Sequence, residues 1–228
     1  MSILVRTLAA LALSLALPLA ALAQTPAPIA IGIVGWPLDP ADALHALVSD
    51  VEDCLTARIR AVAPEIAIVP QRAIRDALFP LLEPATQPQS EEAFAKLLAR
   101  DDVRARLSAR GLRYLVAFTG GTRKEEWSGG ILCGASFGGG GCLGFMWRGE
   151  GTALDAALWS LDGSPTVRRE AAKADGTSIV PAFVLPIPLM ARTHAEACRE
   201  LGTRVANAIR ESAAQRPAPP EAPAKPRD

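Results

Sequence analysis

The stretch WSGGILCGASFGGGGCLGFMWRGEG, Trp127 to Gly151, separates two differently patterned parts of the chain, and its reading decides the fold. It holds ten of the 18 glycines, two of the four cysteines and two of the four tryptophans. Glycine at this density cannot sustain a helix, since each one costs about 1 kcal/mol there relative to alanine. Leu143 to Trp147 reads instead as strand. Before the stretch, strand and helix alternate; after it come strands and one closing helix.

Upstream, Pro28 to Trp36 is rich in Ile and Val and reads as a buried strand. Asp39 is placed to cap a helix with Pro40 at its first position. Leu44, Leu47, Val48, Val51, Leu55, Ile59 and Val62 then recur at helical spacing, with Cys54 beside that face, and Pro64 ends the run. Glu65 to Val69 is a second strand, and Pro70 opens a short helix closed by Pro80. Glu91 to Arg110 reads as one helix stopped by Gly111, and Leu112 to Phe118 as the third strand. This βαβα(α)β order requires crossover helices and a largely parallel first half.

Downstream, Thr152 to Leu161 and Thr166 to Ala174 flank the turn signal Asp162-Gly163 and form an antiparallel hairpin. Ile179 to Met190 carries too much proline for a central strand and is expected to cover an edge. Thr193-His194-Ala195-Glu196 has the pattern of a capping box that opens the last helix, with His194 exposed in its first turn. Its inner face is Cys198, Leu201, Val205, Ala208 and Ile209. From Gln215 the chain is a proline- and alanine-rich tail with no apolar period. The fold class expected is α/β with a mixed sheet, in one domain over 24–214, the last helix packed on the sheet.

The first 23 residues have the anatomy of a secretory leader. Arg6 is followed by an apolar run from Leu8 to Leu17, and Ala21-Leu22-Ala23 supplies a small-x-small cleavage site before Gln24. No cysteine follows the run to accept a lipid, and it is short for a membrane span. Cleavage leaves 23 basic against 24 acidic residues. That balance argues against a nucleic-acid partner, which needs a basic stripe. The expected compartment is periplasmic or extracellular.

Four cysteines in an exported chain read first as two disulfides. Cys54 and Cys198 lie on helices that must cover the same sheet, while Cys133 and Cys142 flank one loop, so these are the expected pairs. Closing the ten-residue loop is worth about 2.5–3 kcal/mol in the chain-entropy model. A zinc site on His194, Cys198 and His45 would need reduced thiols in an oxidising compartment, and neither metal nor cofactor is implied.

Two catalytic fingerprints fall in the stretch. Gly139, Gly141 and Gly144 match G-x-G-x-x-G, but no helix follows to face a pyrophosphate. Gly134-Ala135-Ser136-Phe137-Gly138 matches the nucleophile elbow G-x-S-x-G, with Asp162 and His194 in the right order behind Ser136. Four glycines follow Phe137, where an elbow requires a helix. A small serine hydrolase on Ser136, Asp162 and His194 is therefore the alternative reading. The functional reading preferred to catalysis is recognition, carried by Trp127, Phe137, Phe145 and Trp147 among glycines. A plain β-hairpin with Gly138 to Gly141 at its tip and its aromatics covering the sheet weighs slightly more than recognition.

Three segments carry a resemblance. Ile66 to Leu78 is similar to the strand and short helix of the periplasmic α/β domain family that includes the amino-terminal half of TolB and the curli-export lipoprotein CsgG. Leu107 to Gly120 resembles that family's helix–Gly–strand element. Leu154 to Val167 resembles its strand and Asp-Gly turn. The resemblance implies a non-enzymatic envelope protein that assembles with partner proteins, and it supplies no catalytic residues. The chain departs from the curli pore in lacking the lipidated cysteine, and no long alternating segments for membrane-spanning hairpins are evident.

Overall fold

The computed structural model describes residues 29–35, 48–83, 85–136, 138–162 and 167–215, excepting the side chains of 48, 49 and 136. The leader, the helix start at Asp39 and Pro40, His45, Phe137, the turn at 163–166 and the tail beyond 215 lie outside the described residues.

Among the described residues, eleven elements follow in order. Strand β1 is Ile29–Gly35, helix α1 Val48–Val62, β2 Ile66–Val69 and α2 Gln71–Leu78. Helices α3 (Glu91–Ala99) and α4 (Asp101–Ser108) precede β3, Leu112–Lys124. Then come β4 (Ser128–Ser136), β5 (Gly139–Ser160), β6 (Val167–Ala182) and α5 (Thr193–Ala214). Strand β1 pairs in parallel with both β2 and β3, and all pairings from β3 onward are antiparallel. The fold is thus the mixed α/β sheet that the alternating first half and the later hairpin imply.

The period of two sends alternate residues to two cores. On one face Ile31, Ile33, Tyr114, Val116, Phe118, Leu154, Ala156 and Leu158 pack under α1 and α5. On the other, Val34, Leu115, Ala117, Ala157 and Trp159 pack under α2, α3 and α4. Val51, Leu55 and Ile59 form the inner stripe of α1, and Cys198, Leu201, Val205, Ala208 and Ile209 that of α5, all buried. These helices approach closely at Gly202, where an added Cβ would stand 2.9 Å from the Cβ of Arg58. Cys54–Cys198 joins the two at a Cα separation of 6.3 Å. Pro70 cannot cap α2 with a side chain, and the Glu52 carboxylate on α1 accepts the Gln71 N–H at 2.9 Å instead. At the far end of α5, Arg210 pairs with Glu65 at 2.6 Å and holds its carboxyl below the usual range.

Four local expectations are corrected. Glu91 to Arg110 is two helices, broken at Arg100, whose backbone is extended. Ser90 caps the first, and Asp101 and Asp102 place negative charge at the amino end of the second, where the helix dipole favours it. The capping box does not form: the cap position is Arg192, without a side-chain bond. The Thr193 hydroxyl instead accepts from that of Thr152 at 3.0 Å, because burial under the sheet leaves it no solvent partner. His194 is half-buried rather than exposed, and both its ring nitrogens are buried without a described partner. Long alternating strands do exist, since β5 runs for 22 residues and β6 for 16. In the first half of β5 the glycines at 139, 140, 141, 144, 149 and 151 interrupt the alternation by supplying no side chain.

Replacing Cys54 and Cys198 together by alanine removes a link spanning 144 residues. Urea denaturation of the double variant is expected to show about 3–5 kcal/mol of lost stability. A loss below about 1 kcal/mol would show that helix packing alone sets the α1–α5 contact.

Candidate functional site

The Trp127–Gly151 stretch is a β-structure, and most of it extends past the helical layers. Along one edge of β5, β3 pairs with Glu150 to Ser160 and β4 with Gly139 to Trp147. The other edge belongs to β6, which pairs from Gly144 to Trp159. Strands β3 and β4 are therefore one long run on the same edge of β5. Between them Glu125 to Trp127 oppose only Gly149 and Arg148, an extra residue that makes a bulge and re-aims the run. The distal parts of β4, β5 and β6 form a three-stranded arm.

The expected loop is thus a hairpin, and Gly139 to Gly141 belong to its strand rather than to its tip, because they already pair with Ser136, Ala135 and Gly134. Cys133 and Cys142 are direct cross-strand partners and are bonded, with Cα atoms 4.0 Å apart. The bond locks the register of strands whose glycines would otherwise specify it weakly. Gly144 has φ +154°, and an added Cβ there would collide with the carbonyl of Gly130. Glycine lets the two strands meet at that point.

Register partners share a face, which sorts the arm's side chains. Leu132, Leu143, Phe145 and Trp147 stand on one face, with Phe145 and Trp147 5.6 Å apart. This face continues the one that α2, α3 and α4 cover further along the sheet. No described helix reaches it here: Leu132 is 83 % exposed, Leu143 68 %, Phe145 45 % and Trp147 42 %. The disulfide, Ile131 and Met146 lie on the opposite face. After β6, Phe183, Val184, Leu185, Ile187, Leu189 and Met190 are also exposed. Part of that proline-rich segment does cover an edge as expected, bridging Pro186 to Ala182 and Leu189 to Ile179. Ile179 to Ala182, however, belong to β6 itself, since Pro181 turns its nitrogen and carbonyl away from β5, its carbonyl accepting from the Ile187 N–H at 3.0 Å, so its missing N–H costs no bond to β5.

Charge stops at the root. Trp127 to Trp147 contains no charged residue, and neither does Gly176 to Ala191. At the root, Glu150 is buried and accepts from Arg148 at 2.6 Å and from the Ser178 hydroxyl at 3.1 Å. The Ala191 N–H donates to that same hydroxyl at 2.9 Å. The Arg148 guanidinium lies 4.6 Å from the centre of the Trp127 ring, a cation–π contact. Beside this network the hydroxyls of Thr122, Thr152 and Thr193 form a chain, 2.8 and 3.0 Å. The root is held by satisfied polar groups and the arm beyond it is apolar.

The residues of the hydrolase alternative are not brought together. Ser136 pairs at the Gly139 end of β5, and Asp162 follows its Ser160 end, where it is bound to Arg113 at 3.4 Å. A strand of that length extends for roughly 70 Å. His194 follows Thr193, whose hydroxyl meets Thr152, roughly 40 Å along β5 from Gly139. Gly139, Gly141 and Gly144 lie within β5 with no helix behind them. Cys54 and Cys198 are bonded to each other, so neither offers a thiolate to a metal.

Of the expected recognition residues, Trp127, Phe145 and Trp147 are partly exposed at or on the arm, and Phe137 lies outside the described residues. Leu132 and Leu143 were missed. Leu143-x-Phe145-x-Trp147 alternates visibly once read as strand, but only pairing places Leu132 beside it. No known family's sequence profile matches the chain, and no curated protein matches it. Among solved structures, the hypothetical protein CT253 from Chlamydia trachomatis aligns at 10 % identity over 82 % of this chain and 96 % of its own, with a TM-score of 0.36. That likeness is too slight to carry an argument. No described helix is long and apolar enough to cross a membrane.

Glu150→Ala leaves Arg148 half-desolvated without its partner. The expected loss is about 2–3 kcal/mol in denaturant unfolding, together with faster tryptic cleavage after Arg148. Unchanged cleavage and stability would show that the arm's root does not depend on this pair.

Proposed function

We propose that this chain is an exported, non-catalytic envelope protein whose β-arm serves as an interaction or assembly module. The observation that carries this reading is the uncharged arm itself, which holds Leu132, Leu143, Phe145 and Trp147 on a face without helical cover. Water-exposed apolar clusters on strands stiffened by a disulfide mark binding surfaces, and aromatic side chains dominate the affinity of such surfaces. The fixed hairpin lowers the ordering entropy lost on binding.

Export is supported by the leader-like segment and by two disulfides, which persist in oxidising compartments. In this reading the leader is cleaved after Ala23. The pattern resemblance to the periplasmic domains of TolB and CsgG points the same way, toward partner proteins in the envelope. Catalysis has no comparable support, because Ser136, Asp162 and His194 lie at separate places along the sheet.

Trp127→Ala and Trp147→Ala are expected to lose at least one protein partner in envelope crosslinking while keeping both disulfides and the wild-type circular dichroism. Amino-terminal sequencing of the exported chain should begin at Gln24. Unfolding of both tryptophan variants would make these rings core residues and remove the recognition role.

A further inference from the structure

The arm has two outer edges, and they are treated differently. Along β6 the outer edge is covered near the tip by Pro186 to Leu189 and carries Arg168, Arg169, Glu170, Lys173 and Asp175 nearer the core. At the far side of the sheet β2 is only four residues long. These are the usual protections against strand addition. Strand β4 has none of them: it is nine residues long, has no charge and no proline, and among the described residues pairs with β5 alone.

Its sequence, SGGILCGAS, is also close to a palindrome in side-chain size about Leu132. Turning a second copy about a two-fold axis at Leu132 sets Leu132 against Leu132, Ile131 against Cys133, Gly130 against Gly134, Gly129 against Ala135 and Ser128 against Ser136. Apart from Ile131 and the smaller Cys133, each pair matches in bulk. Charge permits the arrangement as well. The axis sets position 132 directly against its own copy, so a charge there would meet like charge, which is destabilising across strands. An uncharged edge avoids this. Leu132, the most exposed large apolar residue among the described residues at 83 %, sits on the axis, where it would lose that exposure.

We infer that β4 pairs antiparallel with β4 of a second copy of this chain, joining two arms into one six-stranded sheet. This rests on the reading of the arm as an assembly module and names its first partner. Nine residues a side is well below the roughly 20–30 of a standard interface, so the dimer is weak and forms at high local concentration. The Cys133–Cys142 bond supports it by holding β4 in register on β5 before the second copy arrives.

Sedimentation of the exported chain tests this, with Leu132→Lys, Leu132→Cys and Gly130→Cys variants. Both cysteine sites are open: Leu132 is exposed, and a Cβ at Gly130 meets nothing within 4 Å. Wild type should dimerise with concentration, and Leu132→Lys should raise the dissociation constant by roughly tenfold. Oxidised Leu132→Cys should give a dimer linked through position 132, with Cys133–Cys142 intact on peptide mapping. Gly130→Cys should not, because its own copy lies roughly 13 Å away, beyond disulfide reach. A wild type monomeric at every concentration overturns the inference, as does equal crosslinking at 130 and 132. Leu132-dependent flotation with phosphatidylethanolamine–phosphatidylglycerol vesicles, without a dimer, would assign the edge to lipid and overturn it too. If the chain is monomeric but tryptophan-dependent crosslinks to another protein persist, only self-pairing fails and the broader reading stands.

Discussion

The hydrogen-bond ladder along β5 is the interaction on which everything else depends. One strand of 22 residues is paired on one edge first by β4 and then by β3, and on the other by β6. Its Ser160 half lies between two helical layers, and its Gly139 half lies beyond them. An exposed strand cannot leave both rows of backbone groups unpaired without cost. The arm therefore persists only because β4 and β6 travel with β5. The same ladder carries the register of the packed sheet out to Cys133 and Cys142, where the disulfide closes it.

The two halves are stabilised by different physics. Near Ser160, alternate side chains enter two apolar cores, and the α1–α5 pair is crosslinked through Cys54 and Cys198. Near Gly139, few side chains are buried, and backbone pairing with one covalent bond carries the structure. Between them sits a polar root, where Glu150 is satisfied by Arg148 and Ser178 and where three threonine hydroxyls link β3, β5 and α5. A buried carboxylate without those donors would push the strands apart. The charged girdle and the uncharged arm beyond it are thus separate parts of one sheet with separate duties.

Much of this was legible in the residues. The βαβ opening, the apolar stripes of the first and last helices and both disulfide pairs follow from period, proline punctuation and the geometry of cysteines on shared faces. Other features were not. Arg100 breaks a helix without proline or glycine, because Asp101 and Asp102 make a better start for a new helix than a continuation of the old one. Thr193 and Glu196 carry the capping pattern, yet burial beside Thr152 gives the Thr193 hydroxyl a different partner. The G-x-S-x-G match around Ser136 is local, whereas a triad is a statement about distance, and a long extended strand separates its members.

Sequence alone determined most helices and strands through their apolar periods, and placed Cys54 and Cys198 on or beside the inner faces of two helices, because a period is written in neighbours a few residues apart. Only the tertiary structure decided that Trp127 to Gly151 is an arm and not a loop. Glycine permits both, and the choice rests on β6 pairing along β5 from nearly thirty residues downstream, which no local pattern encodes. Tertiary structure alone also set Leu132 beside Leu143, Phe145 and Trp147 on an uncovered face, since a face is defined by register, and register by the strand across the way.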